Sequence, residues 1–392
     1  MTPTLRFPEF AGAWQPKHGD DAFKSRRQRA KEGLPLYSVT MDQGMVRRDS
    51  LDREFASNAP DEANLRVFKD DHVYNMMRMW QGAVGRAPED CMVSPAYVVL
   101  QPEPDTVPAF FDHWFKRRRS IYLLWAYSYG LTSDRLRLYA RDFGRVPMAL
   151  PPFDEQRRIA DFLGAVDGRI KLLQRRRDAL ARYKAGMMQR LFDQSLRFTR
   201  DGGTAYPDWK EKRLGEIATI VGGGTPETAE DSYWGGDIPW FTPTEIKSKY
   251  LQSSARMLTS DGLKSSSAKL LPIGTLLLST RANVGDVGIA RQECTTNQGF
   301  QSLIMKGEHF NEFWYQWILH HKKKFVRWAA GSTFLEINKT EVGKIKAETP
   351  HPDEQRKIAD ALSALDDKIA AVSDQVKHMQ TFKKGLLQQM FV

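Results

Sequence analysis

The sequence predicts an α+β chain in which two globular α/β units alternate with two long helices, the whole arising by internal duplication. Three observations carry this prediction: a twenty-residue segment that recurs, heptad-spaced apolar residues running through both copies, and short β-rich runs mixed with aromatic helices ahead of each. PPFDEQRRIADFLGAVDGRI from Pro151 returns as PHPDEQRKIADALSALDDKI from Pro350. Asp154, Glu155, Gln156, Arg157, Ile159, Ala160 and Asp161 recur as Asp353, Glu354, Gln355, Arg356, Ile358, Ala359 and Asp360, a run that chance does not supply.

The expected boundaries are a first globular unit over 1–150, a first helix over 151–195, a second globular unit over 196–349 and a second helix over 350–392. In the first unit, Ala96 to Leu100 reads as a strand and Phe110 to Lys116 as an aromatic helix. The first long helix follows prolines and opens with Asp154-Glu155, an acidic first turn that complements the helix dipole. Ile159, Val166, Leu173 and Leu180 fall seven apart, as do Ile358, Leu365, Val372 and Met379 in the second helix. Such matched seams predict packing as a coiled-coil pair. Arg177 and Lys184 interrupt the companion seam of the first helix, where the second has Val376 and Lys383; they either set register or face a partner. The second unit opens with Leu196-Arg197-Phe198, an echo of Leu5-Arg6-Phe7, after which Gly202-Gly203 marks a linker. Its landmarks repeat the first unit's at nearly one offset: Arg78, Gly82, Gly85 and Cys91 match Arg281, Gly285, Gly288 and Cys294.

Composition narrows the function. With 58 Lys+Arg against 48 Asp+Glu, the net charge of +10 makes a polyanionic partner plausible. By segment it is +3 over 1–150, +6 over 151–200, +1 over 201–349 and zero beyond. Mean hydropathy is −0.52. The longest apolar stretch, Ile121 to Tyr129, is well short of the ~20 residues a bilayer span needs, so no membrane partner is expected. Two cysteines, Cys91 and Cys294, read as buried thiols suited to a reducing cytoplasm.

No catalytic constellation is legible. Leu150-Pro151-Pro152-Phe153 imitates the Pro-Pro-aromatic signature of amino-methyltransferases, but leucine cannot hydrogen-bond an exocyclic amine. Gly222-Gly223-Gly224 lacks the lysine of a phosphate loop and reads as a turn, and the histidines lack metal-ligand spacing. No bound metal or cofactor is therefore expected.

The candidate binding residues are basic and polar. Lys116, Arg117, Arg118 and Arg119 follow one aromatic helix, and Lys322, Lys323 and Lys324 follow the other; both runs suit phosphates, as they equally suit a solvated helix face. Arg78 and Arg281 each precede a glycine-marked loop, where a guanidinium fork fits guanine or phosphate. Thr242, Thr244 and Asn283 are candidate readers of base edges, with capping and turn formation as their structural alternative. Phe110, Trp114, Phe313 and Trp317, four apart on helices, read as core.

The whole chain resembles the specificity subunits of type I restriction-modification systems. The repeated DEQR helices resemble that family's conserved helices. WKEKRLGEIATIVGGGTP from Trp209, DIPWFTPTEI from Asp237, STRANVGDVG from Ser279 and GSTFLEINKTEVGKI from Gly331 resemble the framework of its target-recognition domains. The second half is the closer match; in the first, Gly130-Leu131-Thr132 echoes Gly331-Ser332-Thr333 only faintly. The resemblance implies a pseudo-twofold, non-catalytic reader of double-stranded DNA. Each target-recognition domain would bind half of a bipartite, gapped site, and an antiparallel helix pair would set their spacing and dock two modification (methyltransferase) subunits. S-adenosylmethionine would sit on those partners, which methylate adenine N6; a restriction subunit would bring ATP and Mg for translocation and cleavage. The alternative reading is a non-catalytic RNA-binding or structural adaptor, motivated by the glycine loops and basic runs.

Overall fold

The computed structural model describes residues 2–51, 61–132, 134–281, 283–329 and 336–392. Two compact units divide the chain, Met1–Arg175 with Val372–Val392 and Arg176–Ala371, so both boundaries fall inside long helices.

The chain up to the first long helix runs β1 (Gln15–His18), α1 (Gly19–Ala22), β2 (Phe23–Arg26), β3 (Leu36–Thr40), β4 (Gly44–Arg47), β5 (Leu65–Val67), β6 (His72–Asn75), β7 (Val84–Arg86), β8 (Cys91–Val93), β9 (Tyr97–Pro102), α2 (Pro108–Trp114), α3 (Arg118–Ala126), α4 (Ala140–Gly144) and β10 (Pro147–Leu150), then α5 (Phe153–Phe192). One sheet has the order β2-β9-β6-β7, a second β4-β3-β8-β5 with β3 and β8 parallel, and β1 pairs with β10. The remaining chain runs β11 (Lys210–Arg213), α6 (Leu214–Ile217), β12 (Ala218–Gly222), β13 (Trp234–Phe241), β14 (Tyr250–Leu251), β15 (Arg256–Leu258), α7 (Ser260–Lys264), β16 (Leu276–Leu278), β17 (Val287–Ala290), β18 (Thr295–Thr296), β19 (Gln301–Met305), α8 (Asn311–His320), α9 (Lys322–Ala329), α10 (Lys339–Lys344), β20 (Lys346–Thr349) and α11 (Pro352–Gln389). Its sheets are β12-β19-β16-β17-β14 and β15-β13-β18, with β13 and β18 parallel and β11 paired with β20. Antiparallel β2·β9, β6·β9 and β6·β7 thus recur as β12·β19, β16·β19 and β16·β17, so the duplication read from the sequence is one of strand pairing too.

Local sequence explains the punctuation. Pro108 opens α2 and Pro352 opens α11, each at a position where a missing N–H costs nothing. Gly82 and Gly285 occupy equivalent left-handed turns at φ +89° and +87°. Gly222-Gly223-Gly224, expected as a turn, is not one. Gly222 ends β12, and a Cβ on Gly223 or Gly224 would overlap the Asn297 carbonyl or Ser267, so the triplet permits close strand passage.

The core of each unit includes its long-helix segments. In the first, Trp14, Phe110 and Trp114 cluster with Ile159, Leu163, Val166, Leu386 and Phe391; in the second, Trp209, Phe313 and Trp317 cluster with Leu191, Ile358 and Leu362. Of the heptad residues, Ile159, Val166, Leu173, Ile358, Leu365 and Val372 are buried, whereas Leu180 and Met379 are half-buried. Cys91 and Cys294 are fully buried at matching sheet positions, and burial pushes both thiols up to about 12.

Two devices fix the helices to the units. Glu155, fully buried, accepts two hydrogen bonds from Arg6 at 2.7 Å and one from Trp14 Nε1 at 3.2 Å. Glu354, equally buried, accepts from Arg197 at 3.1 and 2.9 Å and from Trp209 Nε1 at 3.0 Å. The adjacent Gln156 and Gln355 cap the approach of α2 and α8 by accepting from Val107 N and Phe310 N, each at 3.0 Å. The acidic first turn is therefore a buried clasp as well as a dipole partner.

The second device is a Lys–Asp pair inside each unit. Lys383 donates to Asp167 at 2.6 Å, and Lys184 donates to Asp366 at 2.6 Å. Gln316 of α8 holds the other oxygen of Asp366 at 2.8 Å; His113 of α2 lies 3.8 Å from Asp167. Lys184 and Lys383 thus lock the helix segments of their unit in register.

Burial, and secondarily Lys383, lowers His113 to about 4, and burial lowers His321 to about 4. Both are neutral at pH 7, while an unfolded histidine titrates near 6.5. Between those values the unfolded chain binds more protons. Stability is therefore predicted to be complete above about pH 6.5 and to fall as pH drops toward 4. Urea midpoints at pH 7.5 and 5 check this in wild type and His113→Gln, where the substitution should shrink the difference.

Candidate nucleic-acid interface

Each unit brings a glycine-marked loop against a basic helix. In the first, Arg78 precedes the 3-10 turn Met79–Gln81 and is exposed, its guanidinium receiving support from Gln81 Oε1 at 3.0 Å. The next residue, Gly82, lies against Ile121 of α3; a Cβ there would sit 3.1 Å from Ile121 Cδ1. That contact sets the loop after Arg78 against α3, the helix that opens at Arg118. Within the Lys116–Arg119 run Lys116, Arg118 and Arg119 are exposed, but Arg117 is turned inward. Its guanidinium donates to the Val392 backbone oxygen at 2.7 Å and stacks on Phe391 at 4.9 Å, and burial lowers it to about 10. The first run offers three surface cations, not four.

In the second unit the loop carrying Arg281 and Asn283 meets α9 in the same way: Gly285 lies against Lys322 and Phe325. Arg281 is exposed and pairs with Glu336 at 2.9 Å; Asn283 is exposed at φ +62°. Lys322 pairs with Asp286 at the loop. Lys323 and Lys324 are exposed, Lys324 lying 5.6 Å over the Trp317 ring. Ala282 and Gly331 to Leu335, part of the quoted framework motifs, lie outside the described residues.

Thr242 and Thr244 are engaged locally. Thr242 caps a 3-10 turn, its N–H donating to Glu245 at 2.7 Å and its hydroxyl bonding the same carboxylate at 2.8 Å; Thr244 Oγ1 lies 3.1 Å from Thr242 Oγ1. Their turn touches Gly299, whose carbonyl accepts from Thr280 N, next to Arg281. A feature absent from the sequence reading is Arg256, stacked 3.3 Å over Trp234 on the β13·β15 ribbon. Its signal, a cation facing a tryptophan across a hairpin, requires the strand register. Phe110, Trp114, Phe313 and Trp317 are core, at most 2% exposed. Among the described residues no cluster of His, Cys, Asp or Glu could hold a metal ion, and no helix is long and apolar enough to cross a membrane.

The fold is that of type I specificity subunits. The structure superposes with a TM-score of 0.64 on the S subunit of a type I restriction-modification system from M. genitalium, at 15% identity, covering 100% of this chain and 99% of that one. The HsdS subunit from Thermoanaerobacter tengcongensis matches at a TM-score of 0.51 and 19% identity, over 99% and 98% of the two chains. Residues 206–377 match the family model of the type I restriction modification DNA specificity domain. Among the chain's relatives, the MjaIX specificity subunit of Methanocaldococcus jannaschii is 35% identical over 199 residues, 49% of this chain and 46% of that protein. The EcoprrI specificity subunit of Escherichia coli is 25% identical over 170 residues, 41% and 42% of the two chains. The matches to these curated relatives span less than half of their length.

Proposed function

We propose that this chain is the DNA sequence-recognition subunit of a type I restriction-modification complex. It is itself non-catalytic, and each globular unit reads one half of a bipartite, gapped duplex site. The observation that carries the proposal is the duplicated pairing of an arginine-bearing glycine loop with a basic helix, on the fold of specificity subunits. The loops share a left-handed glycine, Gly82 and Gly285, but differ in the partners of their arginines: Arg78 stands with Gln81 and Arg281 with Glu336. Two readers of one architecture and different chemistry suit an asymmetric site. In this reading α5 and α11 form an antiparallel coiled-coil spacer that converts helix length into gap length, and the helices dock two methyltransferase subunits. S-adenosylmethionine belongs to those partners, and ATP and Mg to a restriction subunit.

The test is to co-express the chain with its neighbouring methyltransferase and map methylated adenines genome-wide by single-molecule sequencing. A gapped bipartite motif that disappears when this chain is deleted is the expected outcome; methylation unchanged by the deletion would refute the reading.

Salt dependence checks the second basic run. Lys322 is held by Asp286, so Lys323 and Lys324 are the free phosphate ligands of the run. The Lys323→Gln, Lys324→Gln variant should lower the slope of log affinity against log salt by roughly 2, about 0.9 per phosphate contact. Equal slopes for variant and wild type would make both lysines ordinary surface.

A further inference from the structure

Over Lys116–Arg145 the sequence holds eight Lys and Arg against two Asp, +6 in thirty residues, while the rest of residues 1–150 is net negative. This segment also exposes aromatic rings. Ser120 and Leu124 bury one side of α3, and Arg118, Tyr122 and Trp125 fall on the opposite side at helical spacing. Tyr122 is 61% exposed and Trp125 46%, their rings 5.7 Å apart. Just beyond the helix, Tyr129 and Tyr139 form a second exposed pair at 5.4 Å, and the Tyr129–Arg137 bridge holds this pair beside Arg137. Among the described residues, Arg118, Arg119, Arg135 and Arg137 have no carboxylate partner within ion-pair distance. The cations are thus free for an external anion, and the rings are left in water, where apolar area is unfavourable.

We infer that this outward face of α3 is a stacking platform for unpaired bases of DNA. Flat rings spaced along a helix offer π-faces that a paired, stacked base cannot use, and the interleaved arginines follow the phosphates between bases. An apolar protein groove would not require so many unpaired cations, and duplex backbone contact alone would not require exposed rings. The second unit differs at the equivalent helix: α9 exposes Lys323, Lys324 and Arg327 with Trp328 as its exposed ring. The platform is therefore a property of the first unit. The inference rests on the DNA-recognition reading and adds to it an affinity for strand-separated DNA.

The experiment compares fluorescein-labelled dT20, a 20-base-pair duplex and rU20 by anisotropy with the full-length chain. Wild type should bind dT20, and the Tyr122→Ala, Trp125→Ala variant should lose on the order of tenfold in affinity per ring while duplex binding stays within about twofold. The Tyr122→Phe, Trp125→Phe variant, which keeps the rings, should retain dT20 binding and guards against a folding artefact. Wild type that ignores dT20, an alanine variant that binds it undiminished, or a clear preference for rU20 would each overturn the platform. So would loss of methyltransferase co-purification in the alanine variant with dT20 binding intact, since a protein would then be the occupant. The methylation map judges the recognition reading separately: a chain that directs a gapped motif yet ignores dT20 refutes the platform alone.

Discussion

Glu354→Ala is expected to cost the second unit about 3–5 kcal/mol, the scale for removing one partner of a buried, hydrogen-bonded charge pair. Glu354 is fully buried, and its loss leaves Arg197 with only the exposed Asp208 carboxylate at 3.6 Å and Trp209 Nε1 without an acceptor. The penalty exceeds any surface pair because water cannot replace the carboxylate within the core. Asp374→Ala, which breaks the exposed Lys377–Asp374 pair, should cost less than about 1 kcal/mol and serves as the comparison. Urea unfolding at pH 7.5 reads both. Similar midpoints for the two variants would show that the clasp does not hold the helix start. Glu155→Ala should act alike on the first unit through Arg6 and Trp14.

Leu173→Asp is the second large effect. Leu173 and Val372 are 3% and 4% exposed on α5 and α11 within the first unit. Truncation of a buried leucine to alanine costs about 2–5 kcal/mol, and a carboxylate at the site adds a desolvation penalty. The expected total is more than about 4 kcal/mol at pH 7.5. A buried aspartate avoids its charge by keeping its proton, so the gap between Leu173→Asp and Leu173→Ala should narrow as pH falls. Val372→Asp should behave in the same manner. Thermal unfolding of the three variants at pH 7.5 and 5.5 checks this, and an aspartate variant as stable as wild type would remove Leu173 from the core.

Much of this fold was legible because the chain states it twice. The offset between Pro151 and Pro350 located both long helices, and the heptad residues Ile159, Val166, Ile358 and Leu365 are buried as that spacing requires. The clasp was half visible. Arg6 and Arg197 echo each other in the sequence, as do Glu155 and Glu354, but nothing local joins an arginine to a glutamate about 150 residues away. The recurrence of Trp14 at Trp209, at nearly the same spacing, was the unused signal. Arg117 could not be separated from its neighbours, because four consecutive cations carry no mark of which one turns inward. That choice depends on Phe391 and Val392, at the far end of the chain. The exposed rings of α3 were hidden for the opposite reason: an aromatic residue on a helix is ordinarily core, and only the fold shows which side lacks a cover.

The division of the chain into a continuous unit and an interrupted one has a consequence for synthesis. Residues 176–371 leave the ribosome as one uninterrupted stretch with their core complete. The first unit has most of its sequence in hand far earlier, yet Leu386, Met390 and Phe391 of its core are translated only after the whole of the second unit. The usual order, in which the amino-terminal domain is finished first, is therefore inverted. Until the final turns of α11 emerge, the first unit carries an open apolar seam along α5, the kind of surface that a matching helix from a second nascent chain can fill.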